Sequence, residues 1–106
     1  MKNKSSNINL PATSKLITNN NIKMNLELIT PKKKVFTGEI TLVQLPGAAG
    51  SFEILKNHAP IVSIMKKGQV RLITESGETK VYPITGGVVE ASGNNIIILA
   101  DKVEEL

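Results

Sequence analysis

The stretch GQVRLITESGETKVYPITGGVVEASGNNIIILA, residues 68–100, decides the fold. Four runs rich in Val, Ile, Leu and Thr occur in it: QVRLIT (69–74), TKVYPIT (79–85), GVVEAS (87–92) and NIIILA (95–100). ESGE, GG and GN separate them, and each separator is turn chemistry. The runs are too short for helices and carry the β-branched composition of strands. Pro83 lies inside one of them and has no N–H to give, so that strand is expected at an edge or at a bulge. Gly86 and Gly87 carry no side chain and are expected to allow close backbone approach or positive φ.

The same reading extends upstream. NLELIT (25–30), EITLVQL (39–45), SFEIL (51–55) and IVSIM (61–65) read as strands. PKKKVFTG (31–38), PGAAG (46–50) and KKG (66–68) read as the punctuation between them. Nothing from 24 to 100 shows a helical period, although DKVEEL (101–106) has the composition to begin a helix. Short strands with regular turns describe an all-β sandwich or barrel.

A chain of 106 residues fits one small domain. It has no cysteine, which excludes disulfides, thiolate metal sites and thiol catalysis. No apolar run approaches the roughly 18 residues of a membrane helix, and the start lacks the apolar core of a secretory signal. The net charge of +4 is unevenly placed. Residues 1–23 hold Lys2, Lys4, Lys15 and Lys23 and no acid, whereas from Met24 onward nine Lys/Arg meet nine Asp/Glu. The folded part is thus neutral, and Phe36, Phe52 and Tyr82 are its only aromatics, which argues against nucleic-acid binding. Residues 1–23 read as a disordered tail or an upstream extension, with Met24 as the natural start and 24–106 as the domain.

Catalytic chemistry finds little support. His58 is the only histidine, so a zinc site lacks ligands. Ser51 and Glu53 are near it in sequence, but no catalytic signature surrounds them. GAAGSFE (47–53) lacks the Lys-Ser/Thr and the following helix of a phosphate loop. Lys32–Lys34 read as a solvated turn. The expectation is a β domain with no cofactor and no metal that works through its surfaces.

From Met24 onward the chain resembles the epsilon subunit of the F-type rotary ATP synthase, in its N-terminal β-sandwich domain. VFTGEI (35–40), LPGAAGSFEIL (45–55), NHAPIVSIMKKGQVRL (57–72) and TGGVVEASGNNIIILAD (85–101) match that family's elements in order and spacing. Two departures stand out. Glu53 replaces a glycine often found there, and the chain ends at Leu106 without the family's C-terminal helical hairpin. The resemblance implies a two-sheet β-sandwich of about ten strands. It implies a non-catalytic rotor subunit of the central stalk, coupling ion translocation through the c-ring to ATP synthesis. Its partners would be the gamma subunit and the c-ring, peripheral to the cytoplasmic face of the inner (plasma) membrane and not inserted in it. By matching position, Thr30, His58, Ala59, Pro60 and Ser63 would face gamma. Pro46, Gly47, Ala48, Ala49, Gly50 and Ser51 would meet the c-ring. The rivals are an unrelated β-sandwich binding a peptide or carbohydrate, and a small metal-dependent barrel enzyme.

Overall fold

The computed structural model describes residues 23–104, so of the tail expected over 1–23 all but Lys23, which pairs with Glu39 at 3.4 Å, lies outside the described residues. Eight strands follow one another: β1 (Met24–Ile29), β2 (Lys34–Gly47), β3 (Gly50–Leu55), β4 (Ile61–Met65), β5 (Gly68–Thr74), β6 (Thr79–Ile84), β7 (Gly87–Ser92) and β8 (Asn95–Ala100). No helix occurs among the described residues.

The strands form a two-sheet sandwich in which β2 serves both layers. Its first half pairs antiparallel with β1, from Ile29↔Lys34 to Met24↔Ile40. The ladder is interrupted near Ile40 and Leu42, and the second half then lies between β3 and β5, with Val43 opposite both Ile54 and Leu72. The first sheet is therefore β2–β1–β8–β7–β4 and the second β3–β2–β5–β6. Gly47↔Met65 ties the far end of β2 to β4. Eight strands stand among the described residues where about ten were implied, and β2 is counted once although it runs through both sheets.

Alternation places the core. Leu26, Leu28, Val89, Ala91, Ile96 and Ile98 point inward from the first sheet, and Val43, Leu45, Ile54, Val70, Leu72 and Ile84 from the second, all buried. Each large side chain removed from water adds roughly 1.5–3 kcal/mol. Phe36 on β2 and Tyr82 on β6 meet across the layers, with ring centroids 6.3 Å apart and tilted by 51°.

Three expectations need correction or sharpening. PKKKVFTG is not all turn: only Pro31–Lys33 lie outside strands, and Lys34–Gly38 continue β2, because Val35 and Phe36 pack on the core. In PGAAG only Ala48 and Ala49 form the hairpin turn, while Gly50 takes φ 136° and absorbs the twist. DKVEEL begins no helix among the described residues: Val103 bridges to Ile84, and the Glu104 N–H donates to the Pro83 carbonyl at 2.8 Å. That last contact fits the expected place of Pro83. β6 pairs in its ladder with β5 alone, and the outward side of Pro83 presents a carbonyl and no donor.

The Gly86–Gly87 expectation also holds. Gly87 has φ 152°, and a Cβ there would collide with the Leu99 carbonyl of β8. A side chain at this position would force the β7–β8 ladder apart.

Candidate functional site

The residues matched to a gamma contact border the first sheet but do not form one cluster. β1 and β8 run parallel, and β7 and β4 alternate in direction beside them. Thr30 therefore follows the Ile29–Leu99 end of this sheet, whereas His58, Ala59 and Pro60 lead into Ile61 at the opposite end. Ser63 lies between, on β4 opposite the buried Val89.

Thr30 has a local task. Its backbone N–H donates to the Lys33 carbonyl at 2.9 Å. Its hydroxyl accepts from the N–H groups of Lys32 (3.3 Å) and Lys33 (3.2 Å), closing the turn between β1 and β2. Threonine is suited to this because a short hydroxyl can reach its own backbone.

His58 is half-buried in the β3–β4 loop, and Ala59 and Pro60 beside it are exposed. Asn57, just before it, takes φ 65°, a left-handed conformation that asparagine tolerates better than most residues. The His58 Nδ1–H donates to the Ala59 carbonyl at 2.8 Å. Nε2 is left buried without a hydrogen-bond partner. The imidazole thus shapes the loop with one ring nitrogen and leaves the other unused.

The residues matched to the c-ring divide into two sets. Pro46 and Gly47 are buried within β2, and Ala48, Ala49, Gly50 and Ser51 form the exposed tip. A Cβ on Gly47 would stand 2.6 Å from the Gly50 carbonyl oxygen and 2.8 Å from the Phe52 ring. Only glycine lets the hairpin close there. Glu53 sits in regular strand on β3 and accepts a hydrogen bond from the Gln44 amide; Arg71 donates to the Gln44 carbonyl at 3.3 Å. These three make a polar ladder across the outer face of the second sheet.

The outer face of the first sheet is different, and position matching did not reach it. Val62 is 76% exposed, Ile64 66%, Leu99 52%, Val88 40% and Ile97 38%. Ile64, Val88 and Leu99 lie side by side in register, and Ile29 continues the row on β1. Val62, Glu90 and Ile97 form the next row. Contiguous apolar surface of this kind marks a place that another molecule covers. The sequence carried a signal for it: Ile96–Leu99 is apolar at four successive positions, as in strands covered on both faces.

Among the described residues no group of His, Asp and Glu is arranged to hold a metal ion. What the geometry offers is a surface.

Comparison with known proteins gives the same frame. Residues 23–106 match the family described as ATP synthase, Delta/Epsilon chain, beta-sandwich domain. The ATP synthase epsilon chain of Chlorobaculum tepidum is 42% identical over 78 residues, covering 74% of this chain and 89% of that protein. The epsilon chain of Caulobacter vibrioides is 36% identical over 83 residues, covering 78% and 95%. A chain of the Euglena gracilis mitochondrial ATP synthase superposes with a TM-score of 0.73 at 17% identity, over 77% of this chain and 52% of that one. A chain from the central stalk and c-ring of the Tetrahymena thermophila enzyme gives 0.66 at 21%, over 79% and 67%. At those identities the two structures speak for the fold; this chain spans about half of the Euglena one. By the family match and the curated relatives together, the chain belongs to the ATP synthase delta/epsilon chain family, of which it carries the β-sandwich domain.

Proposed function

We propose that the chain is a non-catalytic rotor subunit of an F-type ATP synthase. In this reading it binds the gamma subunit and rests on the c-ring, at the cytoplasmic face of the membrane, and helps couple ion translocation to ATP synthesis. The observation that carries it is the exposed apolar row Ile64–Val88–Leu99. A rigid sheet that leaves such a row uncovered is built for a permanent neighbour, since stable subunit interfaces are the more hydrophobic ones. Gamma is the occupant we assign to it, with Thr30 beside the row and His58–Pro60 at the far end of the same sheet. The tip Ala48–Ser51 supports the second contact: it is exposed, nearly free of side-chain bulk and held by a buried Pro46–Gly47 base. In this reading the chain turns over no substrate itself, and His58 and the polar ladder Glu53–Gln44–Arg71 serve the loop and the sheet surface.

The test is capture of the gamma subunit of the same enzyme by the tagged chain. Stoichiometric capture that Ile64→Asp abolishes supports the reading. Failure to capture gamma at micromolar concentration overturns it.

A further inference from the structure

The described part of the chain is close to neutral, yet its charge is segregated. Lys32, Lys33, Lys66, Lys67 and Lys102 are all exposed and gather at one end of the sandwich. Backbone contacts bind their turns into one surface. The Lys66 N–H donates to the Pro46 carbonyl at 2.9 Å, at the base of the β2–β3 hairpin. Met65 pairs with Gly87, the Asp101 N–H donates to the Gly86 carbonyl at 2.9 Å, and the Thr85 N–H donates to the Lys102 carbonyl at 3.2 Å. Thr30–Lys33 and Asp101–Val103 line a common recess.

Among the described residues, Asp101 and Glu104 are the carboxylates that follow β8 at these turns. Among the described residues, Lys32, Lys66, Lys67 and Lys102 form no ion pair. Lys34, next to this end, pairs with Glu27 at 3.2 Å, and farther away lie Lys23–Glu39 and Lys80–Glu78, both at 3.4 Å. Glu39, Glu75 and Glu78 gather around the β5–β6 turn, at the other end of β5 from Lys66 and Lys67. A cluster of like charges repels itself, and a neutral domain could have dispersed it.

We propose that this lysine end is an electrostatic docking surface for the anionic lipid headgroups of a bilayer. The chemistry favours headgroups over an acidic protein loop. Lysine is a flexible point charge without the planar fork that reads one carboxylate in fixed geometry, so it suits a laterally mobile field of phosphates. Polybasic clusters of this size are attracted to anionic leaflets at about 1 kcal/mol per lysine. The direction agrees as well: the hairpin assigned to the c-ring springs from Pro46, beside Lys66. The inference rests on the proposed rotor function for its orientation, but the test addresses the lipid contact alone.

The full chain is floated with vesicles of phosphatidylcholine, with and without phosphatidylglycerol, at low and physiological salt. Binding is expected only with phosphatidylglycerol, and weaker at higher salt. Lys66→Gln/Lys67→Gln is expected to lower partitioning about 30-fold, two lysines at the per-residue value above. Lys56→Gln/Lys80→Gln removes the same charge elsewhere and is expected to change it less than twofold. Thermal midpoints of both variants should stay close to the parent, since Lys56, Lys66 and Lys67 are exposed and the half-buried Lys80 gives up only a surface pair with Glu78. Absence of binding to anionic vesicles, equal binding to neutral ones, or equal loss in both variants would each overturn the proposal. Gamma capture by Lys66→Gln/Lys67→Gln should be unchanged, which separates failure here from failure of the rotor reading.

Discussion

The two outer faces of the sandwich are built from the same kind of strand and differ in chemistry. On the second sheet, Glu53, Gln44 and Arg71 hydrogen-bond to one another across three strands, and this polar row separates the exposed Leu55 on β3 from the exposed Val81 on β6. On the first sheet, Ile64, Val88 and Leu99 occupy the same kind of register row, and among the described residues nothing covers them. The backbone does not distinguish the faces; the side chains at alternate positions do. A sandwich needs one apolar face per sheet to fold. A second apolar face is surplus to folding and points to association.

The sharpest test of that division compares the two sides of one strand. Ile98→Ala, which empties a fully buried inner position on β8, should lower unfolding stability by about 3 kcal/mol in urea titration. Gly87→Ala should cost about 2 kcal/mol, through strain at φ 152° and the clash with β8. Ile64→Ser, on the outer side, should shift stability by about 0.5 kcal/mol or less and weaken gamma binding about tenfold. A loss of stability comparable to that of Ile98→Ala would mean the outer row belongs to folding. On the opposite face, Glu53→Gln should cost only a few tenths of a kcal/mol and leave gamma affinity within twofold, because its hydrogen bond is exposed. Smallest of all is Ser51→Ala at the hairpin tip, expected to change neither thermal midpoint nor gamma affinity.

Much of this was legible in the sequence, for identifiable reasons. Strands flanked by Gly and Pro were plain, because turn chemistry is local: Gly77, Gly86 and Gly93 all take positive φ where the separators fell. The length of β2 was not, since three lysines after Pro31 look like a loop. Only the packing of Val35 and Phe36 on the core shows that the strand has already begun. The pairing of β1 with β8 could not be read at all, because the register of strands about seventy residues apart is set by the assembled core. Of the residues matched to the c-ring, Ala48, Ala49, Gly50 and Ser51 lie at an exposed tip. Pro46 and Gly47 lie inside, where a proline ring and an absent Cβ let the hairpin fold over Phe52. Thr30 and His58 spend their hydrogen bonds on their own loops, a role no spacing announces.

The parallel contact between β1 and β8 has a consequence for how the protein is made. Of the eight described strands β1 leaves the ribosome first, and its Asn25–Ile29 pair with Asn95–Leu99 of β8, which leaves last of the eight. At about 5–20 residues per second, the interval is several seconds. During it, β1 can form its hairpin-like contact with β2, but Leu26 and Leu28 have only half of their neighbours. The domain closes in one late step, when β8 slides between β1 and β7. A nascent chain arrested before Asn95 should therefore expose Leu26 and Leu28 to protease or chaperone, whereas one arrested after the sandwich has cleared the exit tunnel should not.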